Sequence, residues 1–215
     1  MRIYSALFNE FYPFDLMFDE VGLVKVTQPA ELSDDGKPSI LVIWGGEDIH
    51  PGWYNRPNVA TRVGAFPSRR DILEANLFKQ AVALGIPIIG VCRGAQLGCA
   101  LSGGILIQDV TGHVTNHQIT DKWGDTYFTS SLHHQVMYPW STAHELIAWS
   151  TYRRSSKYVG ISEEEINTPL PIYLEPEVIW FSESRCLAIQ GHPEYEDSES
   201  QLNKHVEKYI EHYLK

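Results

Sequence analysis

A chain of 215 residues with a formal net charge of −10 at pH 7 is poorly suited to nucleic acid, because phosphate binding needs clustered Lys and Arg. Its three cysteines, an odd count without framework spacing, fit free thiols in a reducing compartment and not a disulfide scaffold. No apolar run approaches the roughly 18 residues of a membrane span, and Met1-Arg2-Ile3-Tyr4-Ser5 opens no signal-peptide apolar stretch. One cytoplasmic domain over residues 1–215, with no membrane partner, is the expectation.

Arg2 to Phe8 reads as a first strand and Val21 to Val26 as a second, with an aromatic and acidic loop or short helix over Asn9 to Phe18 between them. Ser33 to Pro38 is a turn cluster. The apolar run Ile40 to Trp44 ends in Gly45-Gly46 and reads as a central strand opening into a loop. Trp53 to Ser68 is polar and aperiodic, a long loop of the kind that often forms a lid. Arg70 to Leu84 places Leu73, Leu77, Ala81 and Leu84 at helical spacing, and Gly85 with Pro87 stops it. Ile86 to Val91 is short and β-branched with no polar face, as in a strand buried on both sides of a parallel sheet.

After Cys92 the pattern changes to a closely packed helix, Gly94-Ala95-Gln96-Leu97, which Gly103-Gly104 ends. Thr111 to Gln118 is polar and holds His113 and His117. Ile105 to Ile107, Tyr127 to Ser131, Glu145 to Trp149, Val178 to Ser182 and Arg185 to Gln190 are strand candidates, the last two joined as a hairpin across Glu183-Ser184. Tyr152 to Pro171 is polar, and the final helix, Ser198 to Lys215, carries Leu202, Val206, Ile210 and Tyr213 on one face. Ser198 with Gln201 reads as its capping box. Strands alternating with helices predict an α/β sheet with helices on both faces, three layers in all, and reactive groups at the carboxyl ends of the strands.

Cys92 and Gly45-Gly46 both stand at such ends. A cysteine between an apolar strand and a tightly packed helix is a nucleophile elbow in thiol form, and Gly90 and Gly94 allow the close backbone approach it needs. Such a nucleophile requires a base and an orienter for that base. The run Ala188-Ile189-Gln190-Gly191 delivers His192 to a strand end, and Glu194 follows two residues later, on the same side of an extended path. The backbone N–H groups of Arg93 and of the Gly45-Gly46 pair are the natural oxyanion donors.

These segments resemble the class I glutamine amidotransferase-like superfamily and, within it, the gamma-glutamyl hydrolase group that includes gamma-glutamyl-GABA hydrolases (peptidase C26). The matching stretches are Trp44-Gly45-Gly46-Glu47-Asp48-Ile49-His50-Pro51 with Tyr54; Arg70-Asp71 with Glu74; Gly90-Val91-Cys92-Arg93-Gly94-Ala95-Gln96; Gly103-Gly104 with Gln108-Asp109; Ser131-Leu132-His133-His134-Gln135; and Gly191-His192-Pro193-Glu194. The resemblance implies a flavodoxin-like sandwich with a central, mostly parallel sheet. It implies Cys92 as nucleophile, His192 as general base and acid, Glu194 as orienter, and Gly46 and Arg93 as oxyanion donors. It also implies that Gly45, Gln96, Ser131, Leu132 and His133 hold the glutamyl group. Trp53 and Tyr54 are the candidates for contact with the amine from the lid. Leu97-Gly98-Cys99-Ala100 and Trp44 depart from what relatives carry there, which bears on the shape of the pocket.

The expected activity is hydrolysis of a small gamma-glutamyl compound through a cysteine thioester, with no metal or organic cofactor. The rivals are a glutaminase subunit that feeds ammonia to a separate synthetase, and a non-catalytic module on the same fold. A homodimer and a synthetase complex are both open as assemblies. Cys99 and Cys186 read as core residues. His113, His117, His133 and His134 match no standard zinc spacing supported by Cys or carboxylate, so no metal site is expected.

Overall fold

The structure, a computed structural model, describes residues 2–6, 23–166 and 174–214. The expected loop or helix at 9–18 and part of the polar stretch at 152–171 lie outside those residues. The described strands are β1 (Arg2–Ala6), β2 (Leu23–Val26), β3 (Ser39–Ile43), β4 (Ile88–Val91), β5 (Ile105–Ile107), β6 (Asp109–Val110), β7 (His117–Asp121), β8 (Thr126–Thr129), β9 (Val136–Tyr138), β10 (Glu145–Ser150), β11 (Tyr158–Val159), β12 (Pro176–Phe181) and β13 (Cys186–Ile189). The helices are α1 (Arg69–Ala83), α2 (Arg93–Leu101), α3 (Glu163–Ile166) and α4 (Gln201–Tyr213).

Nine strands form one sheet in the order β2-β1-β3-β4-β13-β12-β10-β7-β8. The first five are parallel, in the flavodoxin-like order in which ligands bind beyond the carboxyl ends of the strands. The other four extend the sheet antiparallel, beginning with the β12–β13 hairpin. Alternation along β3 and β4 splits the interior in two. Leu41, Ile43 and Ile88 face Leu77 and Phe78 of α1 and Ala95 and Leu97 of α2. Val42, Ile89 and Val91 face Leu202, Val206 and Tyr209 of α4. The sheet is therefore the middle of three layers, with α1 and α2 on one side and α4 on the other.

Local signals account for the helix ends. Ser68 caps α1 in a capping box: its hydroxyl accepts from the Asp71 N–H at 3.0 Å, and the Asp71 carboxylate accepts from the Ser68 N–H. The start of α4 differs from the sequence expectation, because Ser200 and not Ser198 is the cap and accepts from the Asn203 N–H. A turn from Asp197 to Ser200 precedes it, and the Asn203 amide donates back to the carbonyls of Pro193, Glu196 and Asp197. Strand β7 begins at the end of the expected polar segment, Thr111 to Gln118, and continues to Asp121, where no element was expected. Its inward positions are His117, Ile119 and Asp121, so two of its three buried side chains are polar and the apolar alternation that marks a strand is missing.

Candidate active site

Strand β4 lies between β3 and β13, parallel to both, and its end carries Cys92 into the bend before α2. The Cys92 N–H donates to the Ile189 carbonyl at 2.8 Å, and its backbone takes φ 50 and ψ −108. A positive φ on a residue with a side chain is strained and needs its surroundings to hold it. The packing does so: a Cβ on Gly94 would stand 2.0 Å from the Ile43 carbonyl oxygen, and one on Gly90 2.5 Å from the Gly94 oxygen. Only glycine at both positions lets the helix start this close to the sheet.

The neighbouring strand β13 ends beside β4 and delivers His192. Ser130 fixes its backbone, with the Ser130 hydroxyl donating to the His192 carbonyl at 2.8 Å and the His192 N–H donating to the Ser130 carbonyl at 3.3 Å. Glu194 reaches the ring from a one-turn 3-10 helix, Pro193–Tyr195, and not along an extended path as its two-residue spacing suggests. His192 Nδ1 donates to Glu194 Oε1 at 2.8 Å, and the Tyr195 ring stacks on the imidazole with centroids 4.7 Å apart. Burial works against charge on His192, but hydrogen-bonding contacts with Cys92 and Glu194 outweigh it and push the imidazole up to about 10. Gly45 sits against both groups, since a Cβ there would be 2.8 Å from His192 Cε1 and 3.3 Å from the Cys92 Cβ.

A buried charge network ties this bend to α1. Arg93, 1% exposed, pairs with Asp71 and with Glu74. Glu74 also accepts from Arg70 Nε at 2.9 Å. Arg70 Nη2 in turn donates to the carbonyls of Trp44 at 3.0 Å and Gly45 at 2.8 Å. Two guanidiniums and two carboxylates thus join the residue after Cys92 to the Gly45-Gly46 loop. Gly46 has φ 150, and a Cβ on it would overlap Arg70 Nη1 at 2.2 Å.

A cavity of about 290 Å³ opens beside Cys92, lined by Gly46, Gln96, Leu132 and His133 together with Asp48 and Arg62. Gln96 Nε2 donates to the Gln135 carbonyl at 3.4 Å and to Gln190 Oε1 at 3.3 Å. His134 bridges Asp48 and Asp109 at 2.9 and 3.2 Å. Burial raises the Asp48 carboxyl, but hydrogen bonds from His134 and the Arg62 backbone outweigh that and lower it. Burial is the main cause that pushes the His133 imidazole down to about 3.

The side chains of three expected pocket residues turn to the protein interior. Tyr54 is 4% exposed and lies in the core with Leu97, and Trp53 packs against that core under the Lys79 ammonium. Both belong to a one-turn helix, Pro51–Tyr54, closed by Asn55 at φ 54, which turns these aromatics onto the core. Ser131 is fully buried, and its hydroxyl donates to the His113 carbonyl at 2.5 Å, so that side chain is spent on the backbone. Leu132 and His133 do line the cavity. Arg70, Asp71 and Glu74 stand out in the motif by type, yet the partnerships of Glu74 and Asp71 with Arg93 span 19 and 22 residues and have no local signal. Cys99 and Cys186 are fully buried, and burial pushes the Cys99 thiol up to about 12, as suits core residues. No described helix is long and apolar enough to cross a membrane.

Residues 38–153 match the Peptidase C26 family. A glutamine amidotransferase-like protein, the YvdE homolog of Lactococcus lactis subsp. cremoris, is 29% identical over 147 residues, 56% of this chain and 78% of its own length. Over a shorter stretch, NtpR of Enterococcus hirae is 30% identical across 45% of this chain, which spans half (50%) of that relative. Among solved structures, a protein of Thermoplasma acidophilum described as a GMP synthase component covers 97% of this chain and 90% of its own, with a TM-score of 0.60 at 14% identity. A glutamine amidotransferase of Thermotoga maritima covers 99% of this chain and 82% of its own, with a TM-score of 0.57 at 12% identity.

Proposed function

This chain belongs to the Peptidase C26 family of the class I glutamine amidotransferase-like superfamily, and on that premise we propose that it hydrolyses the gamma-glutamyl amide bond of a small compound, releasing glutamate and an amine. The observation that carries the reading is the meeting of Cys92, at positive φ between β4 and α2, with a His192 ring that Glu194 holds at 2.8 Å.

The thiolate is the attacking form of cysteine. His192 keeps the proton that the sulfur gives up, because its imidazole stays charged up to about 10. The sulfur forms a bond to the side-chain carbonyl carbon of the glutamyl group, and the carbonyl π pair moves onto oxygen. Backbone N–H groups of Gly46 and Arg93 are the proposed donors to that oxyanion. Arg93 is the first residue of α2, where N–H groups have no intrahelical acceptor, and Gly46 lines the same cavity as Cys92. As the tetrahedral centre collapses, the C–N bond breaks and His192 passes its proton to the departing nitrogen. Water then gives a proton to His192 and attacks the thioester carbonyl; the C–S bond breaks, glutamate leaves, and the sulfur and imidazole regain their starting state. Glu194 holds the ring in the orientation these transfers need, while Gln96, Leu132 and His133 are the proposed walls for the glutamyl group.

The test is glutamate release by the purified protein from a panel of gamma-glutamyl amines, gamma-glutamyl peptides and glutamine. Turnover of a gamma-glutamyl amine well above that of glutamine, lost in Cys92→Ala, supports the hydrolase. Glutamine as the preferred substrate, with ammonia release rising on addition of a synthetase, would favour the glutaminase reading instead. Turnover that survives Cys92→Ala would remove the nucleophile assignment.

A further inference from the structure

A second cluster of chemistry-bearing side chains lies behind the cavity wall. Three imidazole nitrogens surround one carboxylate oxygen, Glu177 Oε1 of β12: His117 Nε2 at 2.9 Å, His113 Nδ1 at 3.4 Å and His133 Nε2 at 3.8 Å. The facing atoms of His113, His117 and Glu177 all lie within 4.8 Å of one another. None of the four residues is more than 3% exposed.

Two further observations point to a ligand between them. His113 Nδ1, His133 Nε2 and Glu177 Oε2 are buried with no hydrogen-bond partner among the described residues, although buried polar atoms are nearly always paired. The opposite nitrogen of every ring is already held from outside. His113 Nε2 pairs with Glu175 Oε2 at 3.0 Å, His117 Nδ1 with the Thr115 carbonyl at 3.1 Å, and His133 Nδ1 with the Gln135 carbonyl at 2.8 Å. Glu175 is itself braced by the Arg154 and Ser155 N–H groups, each at 2.8 Å, and by the Tyr158 hydroxyl at 2.7 Å. The inward nitrogens face Glu177, to which His117 Nε2–H donates at 2.9 Å; an ion that displaces such protons meets rings whose outer nitrogens are already held, which is how outer partners orient metal-ligating histidines.

The spacing suits the same ligand. Metal–nitrogen and metal–oxygen bonds of about 2.0–2.1 Å in a tetrahedron give ligand–ligand edges of about 3.3–3.4 Å; the three separations from Glu177 Oε1, 2.9, 3.4 and 3.8 Å, bracket that value, and His133 lies just outside the group whose ligand atoms are all within 4.8 Å of one another. We propose that His113, His117 and Glu177 bind one divalent transition-metal ion of the zinc type, with His133, 3.8 Å from Glu177 Oε1, moving in to close the fourth position and Glu175 as the outer carboxylate on His113. Imidazole with one carboxylate is a donor set for zinc and its neighbours, and a closed, buried, four-ligand site is of the structural kind. Its place ties it to the catalytic cavity. His133 is shared with the Cys92 cavity, and the Ser131 hydroxyl holds the His113 carbonyl. An ion there fixes the 131–135 wall of the cavity from behind.

The test uses the untagged 215-residue chain, stripped with a chelator and titrated with Co(II) and then Zn(II). The expected result is one equivalent of Co(II) with the visible bands of four-coordinate nitrogen and oxygen ligation, displaced by Zn(II), and a rise in Tm with Zn(II) that chelator reverses. His117→Gln and His133→Gln should each lose the cobalt bands. His205→Gln, in a separate cluster with Asp121 and Asp125, should keep them. Circular dichroism on each metal-free variant checks that it folds. If the variants do not fold, X-ray absorption of the zinc-loaded wild type decides, with nitrogen and oxygen scatterers expected. A wild type that gives no cobalt bands, bands that survive in folded His117→Gln and His133→Gln, or sulfur ligation to the metal would each overturn the proposal.

Discussion

Glu74→Gln is the sharpest perturbation of the framework around Cys92. Arg70, Asp71, Glu74 and Arg93 carry two positive and two negative charges, with side chains 8%, 1%, 1% and 1% exposed. The substitution keeps the size and shape of the side chain but leaves a net positive charge in a site closed to water. The Glu74 carboxylate is shared by both arginines, whereas that of Asp71 pairs with Arg93, so the exchange takes from Arg70 the carboxylate it holds through Nε. Removing one partner of a buried ion pair costs about 3–5 kcal/mol, a large part of the roughly 5–15 kcal/mol that holds a folded chain together. At about 2–4 °C per kcal/mol for a chain of this size, the Tm should fall by about 6–20 °C.

The same change should reach the chemistry below the melting temperature. Arg70 holds the carbonyls of Trp44 and Gly45, and Arg93 begins the helix that follows Cys92. A slackened pair of guanidiniums loosens both proposed oxyanion donors at once, so kcat should fall more than KM rises, because the oxyanion forms only in the transition state. Differential scanning calorimetry and glutamate-release kinetics on the same preparation give both numbers. A Tm within about 2 °C of wild type, less than the shift of a single kcal/mol, with kcat unchanged, would show that the network neither holds the fold nor aligns the donors.

Cys92→Ala should leave no detectable turnover while circular dichroism shows the wild-type fold, since alanine adopts the strained backbone at similar cost. Activity that depends on a proton from His192 should hold through neutral pH and fall as pH rises through about 10. Glu194→Gln removes one of the contacts that raise the imidazole, so its alkaline limb should move to lower pH; a limb in the same place would contradict the orienting role. The stabilising contribution of charged His192 is likewise complete below its ordinary value of about 6.5 and is lost as pH rises through about 10, so the stability gap between wild type and His192→Gln should close over that window in urea melts. Gly94→Ala places a Cβ 2.0 Å from a backbone oxygen and should cost at least the roughly 1–3 kcal/mol of core overpacking, visible as a lower Tm together with lost turnover. Trp53→Ala should lower Tm but leave the ranking of gamma-glutamyl amines unchanged, because Trp53 packs on the core; a changed ranking would return it to the pocket.

The parts of this protein that could be read from the sequence are those whose cause lies within a few residues. The strand before Cys92 is apolar on both faces because it is covered by helices on both sides, and Gly90 and Gly94 stand four apart because the turn between them admits no side chain. His192 and Glu194 are two apart because one short turn brings the carboxylate onto the ring. What could not be read is set by partners far along the chain. The aromatic pair Trp53 and Tyr54 has the composition of a lid, and only its packing under α1 and α2 decides otherwise. Strand β7 hides because two of its inward side chains answer to polar partners far along the chain, His117 to Glu177, 60 residues on, and Asp121 to Tyr209, 88 residues on. His113, His117 and His133 fit no zinc spacing for the same reason: their carboxylate arrives from β12 and is invisible to any local pattern. A cluster that interrupts the hydrophobic code of three segments at once, and does so in the buried wall shared with Cys92, is costly to keep as an unpaired polar pocket. That cost is the physical ground for the proposed ion, whose positive charge answers the inward nitrogens and the Glu177 carboxylate together.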